Sequence, residues 1–259
     1  MARVLITGSS DGLGLMAGRL LVGQGHAVTL HARNDDRAED ARSALPGSER
    51  VIVGDLLSLS GIRSVAAQAN DAGPFDAVIH NAGIGYREPR RVETIDGLCH
   101  LFTVNVLAPY LLTALIKLPK RLVYLSSGMA RGGDLGLVDP QWIGRRWNGA
   151  QAYSDSKLFD VALACAVGRR FPQLLSNSVE PGWVPTKMGG AGAPDDLDLA
   201  PVTQAWLAVS DDPAALVTGR HFYHQRERFV SDEAHEVTIQ DAFLDYCTEL
   251  TGTPLPDLS

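Results

Sequence analysis

Cysteine is nearly absent from this chain. Cys99, Cys165 and Cys247 are the three in 259 residues. Their number is odd and no CxxC pair occurs, which excludes a disulfide framework and a thiolate-held zinc. Cys165 lies in the run VALACAV and reads as a small buried hydrophobe rather than a nucleophile. Reduced thiols suit a cytoplasmic location. Long apolar runs are also missing. None approaches the roughly 18–20 residues that span a bilayer, so no membrane partner is expected. The opening MARVLITGSS has no apolar h-region, and the fold is expected to begin at residue 2. Basic charge is in deficit, 23 Lys and Arg against 30 Asp and Glu, for a net charge of −7. The lone basic-aromatic cluster, Arg145-Arg146-Trp147, is too small to grip a phosphate backbone, which excludes nucleic acid as partner. His31, His80, His100, His221, His224 and His235 show no ligand spacing such as HExxH, so no metal is expected. Internal repeats and low-complexity segments are absent too.

What is present is the composition of an ordinary globular chain, 45% hydrophobic and 20% charged. Short β-branched runs alternate with helix-length stretches. The runs are Val4–Thr7, Ala27–His31, Val51–Val53, Phe75–His80, Leu122–Leu125, Ser176–Val179 and Arg220–His224. Helical patterns cover 13–23, 37–45, 58–70, 93–118, 153–171, 202–209 and 235–250. Near-continuous apolar strands with short connections predict an α/β fold: a Rossmann-type doubly wound parallel sheet with helices on both faces. Residues 1–259 are expected to form a single domain.

The first run ends in Thr7-Gly8-Ser9-Ser10-Asp11-Gly12-Leu13-Gly14, directly before the first helix. Gly8 permits a sharp turn, and Gly12 and Gly14 leave room for a diphosphate at the helix N-terminus. The spacing G-x3-G-x-G is weak evidence alone, since a plain strand–helix turn also produces it.

Further residues follow in order: Asp55-Leu56 after the third strand, Asn81-Ala82-Gly83 after the fourth, and Asn105 in the long helix. Ser127 closes the fifth strand, Tyr153 and Lys157 form YxxxK, and Pro181-Gly182 with Val184 and Thr186 follows the sixth. Together with the glycine turn, this ordered set resembles the short-chain dehydrogenase/reductase family over residues 2 to about 225. The resemblance implies an enzyme that moves a hydride between a nicotinamide cofactor and the carbonyl or alcohol of a small molecule. It assigns catalysis to Asn105, Ser127, Tyr153 and Lys157. It assigns the cofactor to Gly8, Ser9, Ser10, Gly12, Leu13, Gly14, Arg33, Asp55, Leu56, Asn81, Ala82, Gly83, Pro181, Gly182, Val184 and Thr186, with Tyr153 and Lys157 shared.

The chemistry fits those residue types. Residues four apart share a helix face. A free phenol titrates near about 10 and is a poor base at neutral pH. A neighbouring ammonium favours the phenolate, so the pair can hand a proton to a carbonyl oxygen or take one from an alcohol. Ser127 offers a hydroxyl to the same oxygen. Its rival Ser126 is disfavoured, because strand alternation turns one of the two toward the site. In the family the lysine also binds the nicotinamide ribose, and the asparagine holds a water on the proton path.

Cofactor choice is read at the end of the second strand. An NAD-preferring protein places a carboxylate there to hold the ribose 2′-hydroxyl. Here the position is Ala32, followed by Arg33, whose guanidinium suits a 2′-phosphate. NADP(H) is therefore expected in preference to NAD(H). Asp35 and Asp36, just beyond, would weaken the effect if they folded back.

Ser127 and Tyr153 are 26 residues apart, about twice the spacing in most members. The insertion near 129–150 is similar to the retinol-dehydrogenase-like and protochlorophyllide-reductase-like branch, as is HARN after the second strand. Its Trp142 and Trp147 are expected to pack on the body rather than face a ligand. A mobile substrate loop is expected near 183–200, with Gly189–Asp196 as its flexible part. There Trp183, Val184 and Met188 suggest an apolar lining. Segments 93–118 and 153–171 are apolar on more than one face, which predicts a homo-oligomer. A different class, a non-catalytic NADP(H)-binding sensor or scaffold, is disfavoured by the intact Tyr and Lys. Epimerisation or dehydration is disfavoured by the short chain after Pro181-Gly182.

Overall fold

A computed structural model of the chain describes residues 1–257. Eight strands form one sheet in the order β3-β2-β1-β4-β5-β6-β7-β8. The strands are β1 Arg3–Ile6, β2 Ala27–Ala32, β3 Arg50–Val53, β4 Ala77–His80, β5 Arg121–Leu125, β6 Leu175–Val179, β7 Arg220–Tyr223 and β8 Arg226–Glu227. All pair in parallel except β8, which runs antiparallel to β7. The seven sequence-predicted strands are all present. The eighth went unread because its turn, His224-Gln225, carries no glycine or asparagine; both residues nonetheless adopt positive φ (48° and 58°), as a tight hairpin turn requires.

The helices are α1 Gly12–Gly23, α2 Asp35–Ala44, α3 Leu59–Ala72, α4 His100–Phe102, α5 Ala108–Leu115, α6 Gly149–Arg170, α7 Val202–Val209 and α8 Val237–Thr251. Side-chain caps start three of them: Asn34, Ser58 and Asn148 accept from the N–H groups of Arg37, Gly61 and Gln151. Strand alternation splits the core in two. Leu5, Val78, Leu122 and Tyr124 pack under α3, α5, α6 and α8. Val4, Ile6, Val123 and Val179 pack under α1, α2 and α7.

The long helix expected over 93–118 is shorter and broken. Residues 93–99 form a loop closed by a bridge between Glu93 and Cys99, with Gly97 at φ 75°. Helix begins only at His100, passes through a π-turn at Thr103–Leu107, and ends at Leu115. An Asp96-Gly97 turn inside an apolar pattern outweighed the periodicity.

The apolar second face of α5 and α6, which pointed to a second subunit, is covered within the chain. From Ala152 to Gly168 every residue of α6 is buried. Phe243 of α8 lies 4.8 Å from the Phe159 ring, and Tyr246 lies 6.0 Å from Phe102. The Tyr110 hydroxyl meets Thr248 Oγ1 at 2.7 Å and donates to the Thr253 carbonyl at 2.9 Å. The segment from α8 onward thus lies on part of that face. None of the described helices is long and apolar enough to cross a membrane.

Candidate active site

The sheet order reverses beside β1, whose two neighbours are β2 and β4. Crevices at such points, beyond the carboxyl ends of the strands, are where open α/β sheets bind ligands. The glycine turn leaves β1 there. Gly8 has φ 59°, and a Cβ on it would lie 2.7 Å from Ala82 Cα, so only glycine fits. Gly12, at φ 55°, has open space around it: an added Cβ would meet nothing within 4 Å. Asp11 occupies the N-cap of α1 but makes no side-chain cap. Its carboxylate turns instead to Arg37 at 2.6 Å and Lys187 at 2.8 Å. No side-chain cap therefore occupies the first N–H groups of α1. That is the cradle a diphosphate fits.

Some residues expected at the cofactor are struts of this turn. Ser9 is fully buried; its hydroxyl donates to the Ile6 carbonyl at 2.7 Å and accepts from the His31 N–H at 2.9 Å. Its side chain is therefore engaged inside the protein, bracing the turn. Asn81 donates its amide to the carbonyls of Thr7 and Gly8, at 3.0 and 2.9 Å, tying β4 to the turn. Leu56 is buried, and the exposed Asp55 accepts from Leu57 N–H at 3.0 Å. Ser10, Leu13, Ala82 and Gly83 line the rim, each partly exposed, while Gly14 is buried under the turn. At the end of β2, Ala32 is buried and Arg33 is exposed.

Sequence reasoning passed over His31. It is 2% exposed, and burial lowers its pKa, opposed by the Gly54 carbonyl and by Asp55. Nδ1 accepts from the Gly8 N–H at 2.9 Å, and Nε2 lies 2.8 Å from the Gly54 carbonyl. This fixes the neutral Nε2–H tautomer, clamping the glycine turn to the end of β3. No motif marks it; its role follows from strand register.

The second half of the site gathers on α6. Lys157 is 5% exposed, with Nζ on the Leu125 carbonyl at 2.7 Å and on Asp160 Oδ2 at 2.8 Å. Its Nζ lies 5.9 Å from the centre of the Tyr153 ring. An added Cβ on Gly83 would sit 3.5 Å from Asn105 Oδ1 and 3.6 Å from Lys157 Nζ. The end of β4, the end of β5 and one face of α6 thus converge on the ammonium.

Asn105 is fully buried in the π-turn. Oδ1 accepts from the Ile84 N–H at 2.7 Å; Nδ2 donates to the Ile84 carbonyl at 3.1 Å and to Ser156 Oγ at 3.0 Å. The amide is occupied as a clamp on the loop segment that follows Gly83. The two serines separate as alternation predicts. Ser126 is buried and donates to the Lys157 carbonyl at 2.6 Å. Ser127 is half-buried and only accepts, from the Met129 N–H at 3.2 Å, which leaves its hydroxyl proton to donate.

The loop after β6 folds over Tyr153. The phenol lies 3.9 Å from Met188 Sδ, and its ring packs edge-on against Tyr86 at 5.8 Å. Asp195 accepts from the Trp183 N–H, and the Trp183 indole donates to the Gly189 carbonyl at 3.0 Å. Gly182 adopts φ 89°, Thr186 Oγ1 accepts from the Gly189 N–H, and Val184 is buried. Pro181 is partly exposed beside them. Just before it, the buried Glu180 binds Arg131 at 2.9 Å and Arg228 at 2.6 Å.

The insertion is anchored to the body. Trp142 and Trp147 meet edge-on at 5.6 Å, and the Trp147 indole donates to the Glu88 carbonyl at 2.9 Å. Arg145 lies 3.6 Å over the Trp142 ring and pairs with Asp155 of α6 at 2.9 Å.

Comparison with known proteins agrees with this architecture. The sequence model of the short chain dehydrogenase family matches residues 2–196. An uncharacterized oxidoreductase of Emericella nidulans is 44% identical over 99% of both chains. Human retinol dehydrogenase 13 is 27% identical over 98% of this chain and 86% of its own. A crystal structure of an uncharacterized protein from Mycobacterium paratuberculosis superposes with a TM-score of 0.84 at 27% identity, covering 99% of this chain and 96% of that one. The chain belongs to the short-chain dehydrogenase/reductase family and is an oxidoreductase. Enzymes of this family use a nicotinamide cofactor.

Proposed function

We propose that this enzyme interconverts a small, apolar carbonyl compound and its alcohol with NADP(H), using Tyr153 as the acid–base group. The observation that carries the reading is the buried Lys157 ammonium, held where β4, β5 and α6 meet and one helical turn from the phenol. Asn105 holds the Gly83–Ile84 backbone beside it. Ser127 donates to the substrate oxygen, and Tyr153 passes a proton to that oxygen in reduction or takes it in oxidation. The start of α1 at Gly12–Gly14 and the rim from Ser10 to Gly83 hold the cofactor, with Thr186 and the Pro181-Gly182 turn at its other end. The bound cofactor supplies or accepts the hydride. Trp183 and Met188, both exposed on the loop beside the phenol, support an apolar substrate.

NADP(H) is favoured by the uncharged Ala32 and the exposed Arg33 at the end of β2. Asp35 and Asp36, the competing carboxylates, belong to the first turn of α2, where they favour the helix dipole.

The test is a panel of carbonyl and alcohol substrates followed by NADPH absorbance. Tyr153→Phe keeps the ring packing and should lower turnover at least about 10²-fold with cofactor binding intact. Near-normal turnover would overturn the assignment. Arg33→Ala should raise the KM for NADPH about tenfold to a hundredfold, the worth of a charge-assisted contact, and leave NADH unchanged. Equal weakening of both would overturn the cofactor preference.

A further inference from the structure

Between Lys157 and Arg169, α6 carries one charged residue, Asp160. It is 2% exposed on a helix that is otherwise apolar there. A lone carboxylate at that depth is costly unless a cation or hydrogen bonds require it. What it faces is the ammonium of Lys157, at 2.8 Å. The position is one turn past the lysine on the same face, so the pair is built into the helix rather than made by a mobile side chain.

A buried ammonium without a counter-charge tends to lose its proton. Burial pulls the Lys157 pKa down, the nearby Asp160 pushes it up, and the net direction is upward. Burial in turn raises Asp160 to about 6, against the pull of Lys157. Besides Tyr153, which also pushes Lys157 up, two further titratable neighbours pack against the pair and are uncharged at neutral pH. From β5, Tyr124 is pushed up by burial, and from β4, His80 stacks on it and is lowered to about 3. Gly83, Asn105 and the Leu125 carbonyl are neutral. Two of the three Lys157 donors are fixed, on Leu125 and on Asp160, which leaves one for the site.

We propose that Asp160 is a positioning residue: its carboxylate keeps the Lys157 ammonium charged and aimed at the Tyr153 phenol. This rests on the catalytic reading of Tyr153 and Lys157 above. Asp160→Asn keeps the shape and an acceptor oxygen but removes the charge. In the full-length enzyme, with NADP+ and an alcohol accepted in the substrate panel, kcat at pH 7 should fall about tenfold or more with KM little changed. The acidic limb of the oxidation profile should move upward by about one pH unit, since a less charged lysine stabilises the phenolate less. In the Lys157→Met background, Asp160→Asn should have no further effect on rate or profile, because it acts through the lysine. The carboxyl group of Asp160, followed by carbon-13 NMR, should titrate higher in Lys157→Met than in the wild type, and this measurement stands even if Asp160→Asn does not fold. An unmoved limb and kcat, a limb that moves downward, or an effect that persists in Lys157→Met would overturn the proposal, as would an Asp160 titration indifferent to Lys157→Met. If Lys157→Met and Tyr153→Phe are both fully active, the catalytic reading itself fails; if both are inactive while Asp160→Asn is normal, only the role of Asp160 fails.

Discussion

His31→Leu isolates the clamp between the cofactor turn and the sheet. Leucine fills similar space but can neither accept from the Gly8 N–H at 2.9 Å nor donate to the Gly54 carbonyl at 2.8 Å. The ring is buried, so water does not replace it there. Each polar group left without a partner costs about 1–3 kcal/mol. Two such groups give an expected loss of roughly 2–5 kcal/mol, with partial relief because Gly8 and Gly54 are themselves only half-buried. The turn that Gly8 begins should also lose its fixed position, raising the KM for NADPH about tenfold, which corresponds to roughly 1.4 kcal/mol. His31→Gln, whose amide can accept and donate, should be milder on both counts. Urea denaturation and NADPH kinetics measure the two effects. The sign with pH is also set. The folded pKa of His31 is lowered, so its contribution is complete above about pH 6.5 and is lost as pH falls through the folded value. A His31→Leu protein within about 0.5 kcal/mol of wild type, a typical surface-substitution effect, and with unchanged KM would refute the clamp.

Other outcomes follow from the same geometry. Burial lowers His80 and His221 to about 3, so both must stay neutral to remain folded. Stability should be greatest above about pH 6.5 and fall by on the order of 2 kcal/mol for each of the two by pH 5, offset in part by Asp160, whose raised pKa acts the other way. A urea midpoint that is flat or rising from pH 7.5 to 5 would contradict this. Asn105→Ala removes all three bonds to Ile84 and Ser156 and should lower kcat at least about tenfold, the effect of losing a fixed backbone beside the reacting groups. Unchanged kcat with a lowered melting point would make Asn105 a purely structural residue. Deleting residues 237–259 uncovers Phe102, Tyr110 and Phe159 and should produce association visible by light scattering. A truncated chain with an unchanged number of chains per particle and an unchanged melting point would show that α8 is dispensable. NADPH should slow protease cleavage within 189–196, directly after Met188, which lies on the phenol; equal rates with and without it would argue against closure over ligand.

The strands and most helices were legible because each depends on local chemistry. β-branched runs, glycine stops and polar caps such as Asn34 and Ser58 act within a few residues. The glycine turn, YxxxK and Pro181-Gly182 were legible for the same reason: each is a short spacing that a backbone turn or a helix face converts directly into geometry. Other features depend on what lies across the sheet or across the chain, and no local pattern encodes them. The Ser9 hydroxyl braces the glycine turn because β2 brings the His31 N–H against it. The apolar α6 meets α8, which arrives about eighty residues later in the chain than Phe159. Asp160 is one acidic residue among apolar ones until the fold buries it on Lys157. The sequence by itself determined the elements, their order and the residue types available for chemistry. Only the tertiary structure decided which of those polar groups remain free to act, because a buried donor or acceptor takes whichever partner the packing sets within reach.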